Sequence, residues 1–202
     1  MIALIDYGAG NLTSVRKGFA AAGAELFSPA DPGALVRARG IVVPGVGNFG
    51  ATAALDGPWT TAIREAVGRG VPLLGICLGM QWLFDGSEEA PGLRGLGAIA
   101  GLCTRLAPDG TGEVKVPHVG WNGLSTTRSG RLLDGVASGS QVYFTHSFAA
   151  PVTAETVATG AHGREFAAAV ERGHLFGVQF HPEKSSDPGI RILRNFAAVT
   201  QS

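Results

Sequence analysis

A thiol, an imidazole and a carboxylate supply a nucleophile, a base and a group to orient the base, and this chain offers one such set. Cys77 stands in Gly75-Ile76-Cys77-Leu78-Gly79, at the end of the short apolar run Val71–Ile76. The run predicts a buried strand, and the small-x-nucleophile-x-small pattern predicts a tight strand-to-helix turn. Glycines two residues either side of a nucleophile let neighbouring backbone pass close to a strained residue. A helix starting beneath the sulfur favours negative charge there. The same turn leaves the Leu78 N–H free to face a developing oxyanion. Downstream, Gly177-Val178-Gln179-Phe180-His181-Pro182-Glu183 reads as a second apolar strand ending in a histidine and a carboxylate. The period of a strand puts His181 and Glu183 on one side, where the acid can orient the ring. A cysteine in an apolar strand is by itself as consistent with core as with catalysis. The second motif tips the balance toward chemistry.

Other reactive residue types carry less. His118, His146, His162 and His174 have no metal-ligand spacing, and neither Cys77 nor Cys103 has a partner for a structural zinc, so no metal is expected. His118 and His146 read as satisfied structural histidines, and Cys103 as core. Gly8-x-Gly10 after the first apolar run invites a dinucleotide-binding reading, but Thr13 stands where the third glycine belongs. No cofactor is expected.

The elements that must position this set follow from periodicity. Ile2–Asp6 predicts a first buried strand, with a helix from about Leu12 to Ala22. Glu25–Ser28 predicts a short strand, Asp31-Pro32-Gly33 opens a short helix, and Gly40–Pro44 is the next strand. Ala51–Gly70 has a helical pattern broken at Gly57-Pro58, and a helix from Leu78 to about Phe84 follows the cysteine. Leu96–Leu106, Gln141–Phe148, Ala154–Ala158 and Phe166–Glu171 read as further strands, Glu113–Asn122 as a polar-aromatic loop, and Ile190–Val199 as a closing helix. Early strands alternate with helices and later ones do not. That order predicts an α/β domain with a mostly parallel sheet and a small antiparallel section.

Composition bounds the rest. The 202 residues suit one domain, 1–202, with no linker, repeat or low-complexity tract. Lys+Arg and Asp+Glu both total 16, so no net field argues for nucleic acid or an anionic membrane. The N-terminus lacks the marks of a signal peptide, no apolar stretch approaches membrane-spanning length, and two cysteines are too few for a disulfide framework. A cytoplasmic protein is expected.

Taken together, these motifs resemble the class-I (Cys-His-Glu) glutamine amidotransferases, and within them the glutaminase subunits of imidazole glycerol phosphate synthases. The narrower resemblance rests on Ile5-Asp6-Tyr7-Gly8-Ala9-Gly10-Asn11, Pro44-Gly45-Val46-Gly47 and Lys115-Val116-Pro117-His118-Val119-Gly120-Trp121-Asn122. Tyr143-Phe144-Thr145-His146-Ser147-Phe148 and Phe180–Ser185 complete it, in family order from end to end. Phe148 stands where the family often has Tyr, a matter of packing.

The resemblance implies a flavodoxin-like, three-layer fold and a division of labour. Cys77 attacks glutamine, His181 moves the proton, and Glu183 holds the ring. Gly45, Val46, Gly47 and Leu78 serve the oxyanion, while Gln81, His146, Ser147 and Phe148 position the substrate. Asn11, Pro117, His118, Trp121, Asn122 and Lys184 would face the partner, a (β/α)8 barrel cyclase that receives the ammonia as the other half of a heterodimer. A glutaminase serving another acceptor, as in anthranilate synthase, is the nearest rival. A cysteine peptidase or deglycase on a related fold is a second, but there a histidine commonly follows the cysteine, and here Leu78 does.

Overall fold

The computed structural model describes residues 1–108, 110 and 114–201. The expected loop Glu113–Asn122 therefore begins outside the described residues at Glu113. In chain order the strands are β1 (Ile2–Leu4), β2 (Leu26–Phe27), β3 (Gly40–Val43), β4 (Leu73–Ile76), β5 (Gly86–Ser87), β6 (Leu102–Arg105) and β7 (His118–Gly123). They continue as β8 (Ser125–Thr126), β9 (Gln141–His146), β10 (Phe148–Ala149), β11 (Thr156–His162), β12 (Arg164–Arg172) and β13 (Leu175–Val178). The helices are α1 (Leu12–Ala21), α2 (Pro58–Gly68), α3 (Leu78–Trp82) and α4 (Ser186–Val199), with 3₁₀ turns at Pro32–Arg37, Phe49–Leu55 and Pro182–Lys184.

The main sheet runs β2-β1-β3-β4-β13-β12-β11-β8. Pairing is parallel from β2 to β13 and antiparallel from β13 to β8, as the order of elements predicts. Strands β1, β3, β4 and β13 are buried at every residue. A parallel strand covered on both faces needs such a continuous apolar run. Two hydrophobic clusters share the core, one including Val15, Phe19, Leu193 and Phe196 and the other Leu35, Leu55, Ile63 and Trp82. Helix α4 buries Gly189, Ile192, Leu193, Phe196 and Ala197, the three-and-four spacing of one helical face.

Several boundaries differ from the sequence expectation. The strand-like Leu96–Leu106 contracts to β6, which pairs with β5 and β10 in a small separate sheet. The stretch read as a polar-aromatic loop is instead β7, paired antiparallel with β9 from His118↔His146 to Gly123↔Gln141. Glycines interrupt it and its inward positions are only partly buried after His118, so the strand shows itself only through its long-range partner. Helix α3 is only five residues long, ending at Trp82 rather than Phe84.

Candidate active site

Three neighbouring strands, β3, β4 and β13, deliver their C-terminal ends to one edge of the sheet. In register, Val43 lies beside Gly75 and Ile76 beside Val178, so Pro44-Gly45, Cys77 and Gln179–His181 emerge together. The carboxyl ends of parallel strands form the usual crevice of such sheets.

Cys77 has φ 54° and ψ −107°, a left-handed conformation that costs a side chain about 1–3 kcal/mol. Its backbone is held by a bond from its N–H to Val178 O at 2.7 Å and by Gln81 N–H to its own carbonyl at 3.1 Å. The flanking glycines are required by contact. A Cβ on Gly75 would lie 2.5 Å from the Gly79 carbonyl oxygen, and one on Gly79 would collide with the carbonyl oxygen of Val43.

His181 follows β13 in extended backbone, and Glu183 lies in the 3₁₀ turn Pro182–Lys184. The pair is thus aligned by a turn, where the sequence reading expected the period of a strand. His181 Nδ1 and Glu183 Oε1 are 2.9 Å apart, with both side chains 2% exposed. A carboxylate accepts, so Nδ1 carries the proton and Nε2 is presented to the sulfur side. Nε2 makes no hydrogen bond of good geometry, and neither does the buried Glu183 Oε2. Burial opposes a charge on the ring, but Cys77 and Glu183 beside it outweigh burial and push its pKa up to about 10. Helix α1 makes room for the acid: a Cβ on Gly18 would lie 3.0 Å from that of Glu183.

A cavity of about 190 Å³ opens beside the sulfur, lined among others by Gly47, Leu78, Gln81, Glu89, Ser147 and Phe148. His146, Thr145 and Pro117 complete its wall. Leu78 is where the structure corrects the sequence expectation of a free N–H: it donates to Gly45 O at 3.4 Å. A carbonyl therefore stands where an oxyanion would need a donor. Tyr7 braces the same loop through a 2.7 Å bond from its hydroxyl to Pro44 O, its phenol pushed above its usual range by burial and by Cys77.

The remaining expected residues divide. Trp121 is 53% exposed and packs edge-on to Tyr143, over whose ring the Lys184 Nζ lies at 5.8 Å. Pro117 and Lys184 are exposed, whereas Asn122 is half-buried and donates to Ala161 O at 2.8 Å. Asn11 caps α1 by accepting from Ser14 N–H at 3.1 Å. His118 departs from the reading as a partner-facing residue: it is buried, stacked between Phe144 and His162 at 4.9 and 4.1 Å, and stands behind that face. His146 is buried too, as expected of a structural histidine. Cys103 is core, its thiol pushed far up by burial. Sequence reasoning missed Glu89, Thr145 and Gln179. No spacing rule singles out Glu89, but Gln179 lies in the histidine motif and could have been weighed.

The description "Glutamine amidotransferase class-I" matches residues 3–199. The imidazole glycerol phosphate synthase subunit HisH of Moorella thermoacetica is 47% identical over 204 residues, spanning 99% of this chain and 95% of that protein. The same subunit of Halobacterium salinarum is 48% identical over 204 residues, spanning 96% and 91%. A crystal structure of a glutamine amidotransferase shares the fold at a TM-score of 0.76 and 18% identity, with all of both chains covered.

Proposed function

The chain belongs to the class-I glutamine amidotransferases, and from that premise we propose that it is the glutaminase subunit of an imidazole glycerol phosphate synthase. The placement of Cys77 in the cavity wall, with the His181–Glu183 pair behind it, carries this reading. Relatives of that name cover nearly the whole chain.

In this reading the Cys77 sulfur attacks the side-chain amide carbon of glutamine, and its proton resides on His181 Nε2. Collapse of the tetrahedral adduct breaks the C–N bond, and His181 returns the proton to departing ammonia. Water then hydrolyses the γ-glutamyl thioester to glutamate. Glu183 keeps the ring oriented and stabilises its charge. Gln81 and the backbone of His146, Ser147 and Phe148 hold the substrate. Glu89, the one carboxylate among the cavity-lining residues named above, suits the α-ammonium group. Ammonia passes to a (β/α)8 barrel cyclase, which converts N1-(5-phosphoribulosyl)-formimino-AICAR-phosphate to imidazole glycerol phosphate and AICAR. Asn11, Pro117, Trp121, Asn122 and Lys184 face that partner.

The oxyanion loop gates the reaction. With the Gly45 carbonyl bonded to Leu78 N–H, the hole is closed. Rotation of the Gly45–Val46 peptide would withdraw the carbonyl and present the Val46 N–H beside that of Leu78. The 3.4 Å bond is long and easily given up. Gly47, at φ +101°, supplies backbone freedom. The test is glutamate release by the chain alone, with the cyclase, and with the cyclase and its ligand. Rates should rise through the series by on the order of 10²–10³, the usual value of one oxyanion donor. Equal rates in all three would refute the gate. Cys77→Ser should abolish glutamine-dependent synthesis and spare synthesis from ammonium salts; retained glutamine use would refute Cys77 as nucleophile.

A further inference from the structure

The cavity wall opposite His181 contains a run of buried hydrogen bonds whose directions follow from the chemistry of their ends. The Phe148 carbonyl oxygen can only accept. It lies 2.8 Å from Gln81 Nε2 and 2.9 Å from His146 Nδ1. His146 Nδ1 therefore carries a proton. Burial, the dominant influence, holds the pKa of His146 down to about 3, so the ring is neutral and its Nε2 is bare. That nitrogen lies 3.0 Å from His118 Nδ1, which must be the donor. Burial and then His162 hold His118 down to about 4, so its Nε2 is bare in turn and faces Asn122 Nδ2 at 3.4 Å.

The other arm runs toward the nucleophile. Because Gln81 presents its nitrogen to Phe148, the orientation of that amide is settled. The same nitrogen lies 3.0 Å from Gln179, which must meet it with oxygen. The nitrogen of Gln179 is then left facing the Cys77 sulfur at 3.6 Å. Turning either amide over would set two acceptors or two donors face to face in a buried site, at about 1–3 kcal/mol per orphaned group. Gln179 is wholly buried, so no water competes for that N–H.

We propose that Gln179 is a further catalytic residue: its Nε2–H donates to the Cys77 sulfur and stabilises the thiolate, in an orientation imposed by the Phe148 carbonyl through Gln81. The inference rests on Cys77 as the nucleophile. The Thr145 carbonyl, 3.9 Å from the sulfur, is matched to the thiol, which can donate to it. Gln179 is matched to the anion, which can only accept. His181, Tyr7, Glu89 and His146 are the other titratable groups around this sulfur and its cavity, and they are unchanged in the variants below.

The test is alkylation of Cys77 by iodoacetamide in the full chain, with and without the cyclase, read by peptide mass across pH. Gln179→Glu keeps the size and the acceptor for Gln81 but replaces the N–H facing the sulfur with oxygen. It should slow alkylation at neutral pH by at least about tenfold and raise the pH midpoint by about one unit or more. Gln179→Met removes the donor without adding charge and should shift the midpoint in the same sense by less. Folded variants with the native midpoint would overturn the proposal. Should neither variant fold, the side-chain amide protons of Gln179 in the native chain supply the reading. Their NMR resonances should titrate with the alkylation midpoint, and resonances flat through that range would overturn it. A native chain that alkylates as expected yet releases no glutamate even with the cyclase and its ligand would refute the glutaminase reading and leave the Gln179 contact standing.

Discussion

Neutral buried histidines make this fold sensitive to acid. His146 titrates near 3 in the folded chain because it is buried, against about 6.5 when unfolded. Between those values the unfolded chain binds a proton that the native chain does not, so stability falls as pH drops below about 6.5. From pH 6.5 to 5 the loss from His146 alone is at most about 2 kcal/mol, and His118 acts in the same sense. His181 works oppositely. Its folded value is raised to about 10, so its contribution is complete below about 6.5 and is lost as pH rises toward 10. Chemical denaturation across pH should therefore show acid loss that is reduced in His146→Phe. An identical acid slope in that variant would place the effect elsewhere.

Among the elements, the β4–α3 turn trades stability for a thiol held in the cavity wall. A left-handed cysteine is strained, and only glycine relieves that strain without moving the backbone. Cys77→Gly and Cys77→Ala both remove the sulfur, so their difference isolates the conformation. The glycine variant should be the more stable by about 1 kcal/mol, measured by urea denaturation; an alanine variant of equal stability would mean that the turn relaxes. Helix α1 presents the reverse case. Gly18→Ala adds a better helix former, yet its Cβ would lie 2.9 Å from Leu193 Cδ1 and 3.0 Å from Glu183 Cβ. Glutamate turnover should fall, because the displaced carboxylate no longer orients His181. Unchanged turnover would show that the neighbours yield without cost.

At the scale of the whole molecule, one edge of the sheet gathers Cys77, His181, the loop after β3 and an exposed aromatic face. Trp121, Tyr143 and Lys184 lie on the β7–β9 ribbon and the turn after β13, and Ser185 Oγ joins them by accepting from Tyr143 N–H at 3.0 Å. A partner docked there would touch the turn that carries Glu183. Lys184→Ala should therefore raise the ratio of glutamate formed to imidazole product formed while changing the melting temperature little, since exposed cation contacts are worth under about 1 kcal/mol. An unchanged ratio with unchanged partner affinity would make Lys184 an ordinary surface lysine.

Cys77, His181 and Glu183 were legible in the sequence because each motif encodes its own local geometry: apolar run, tight turn, glycines where backbone must pass. The parallel half of the sheet was legible for the same reason, since strands buried on both faces are continuous apolar runs. Strand β7 was not, because its polar and glycine-rich residues become a strand only by pairing with β9. The same holds for the closed oxyanion hole. Gly45 and Leu78 meet because β3 and β4 are neighbours in register, and no local pattern specifies which peptide atom points at which. The orientation of Gln179 needed still more: two amides and a carbonyl, distant in sequence, have to be packed dry together before each leaves the next a single choice. Sequence determined which groups could do the chemistry; tertiary packing decided which lone pairs and protons face the sulfur, because hydrogen-bond direction is a property of neighbours in space.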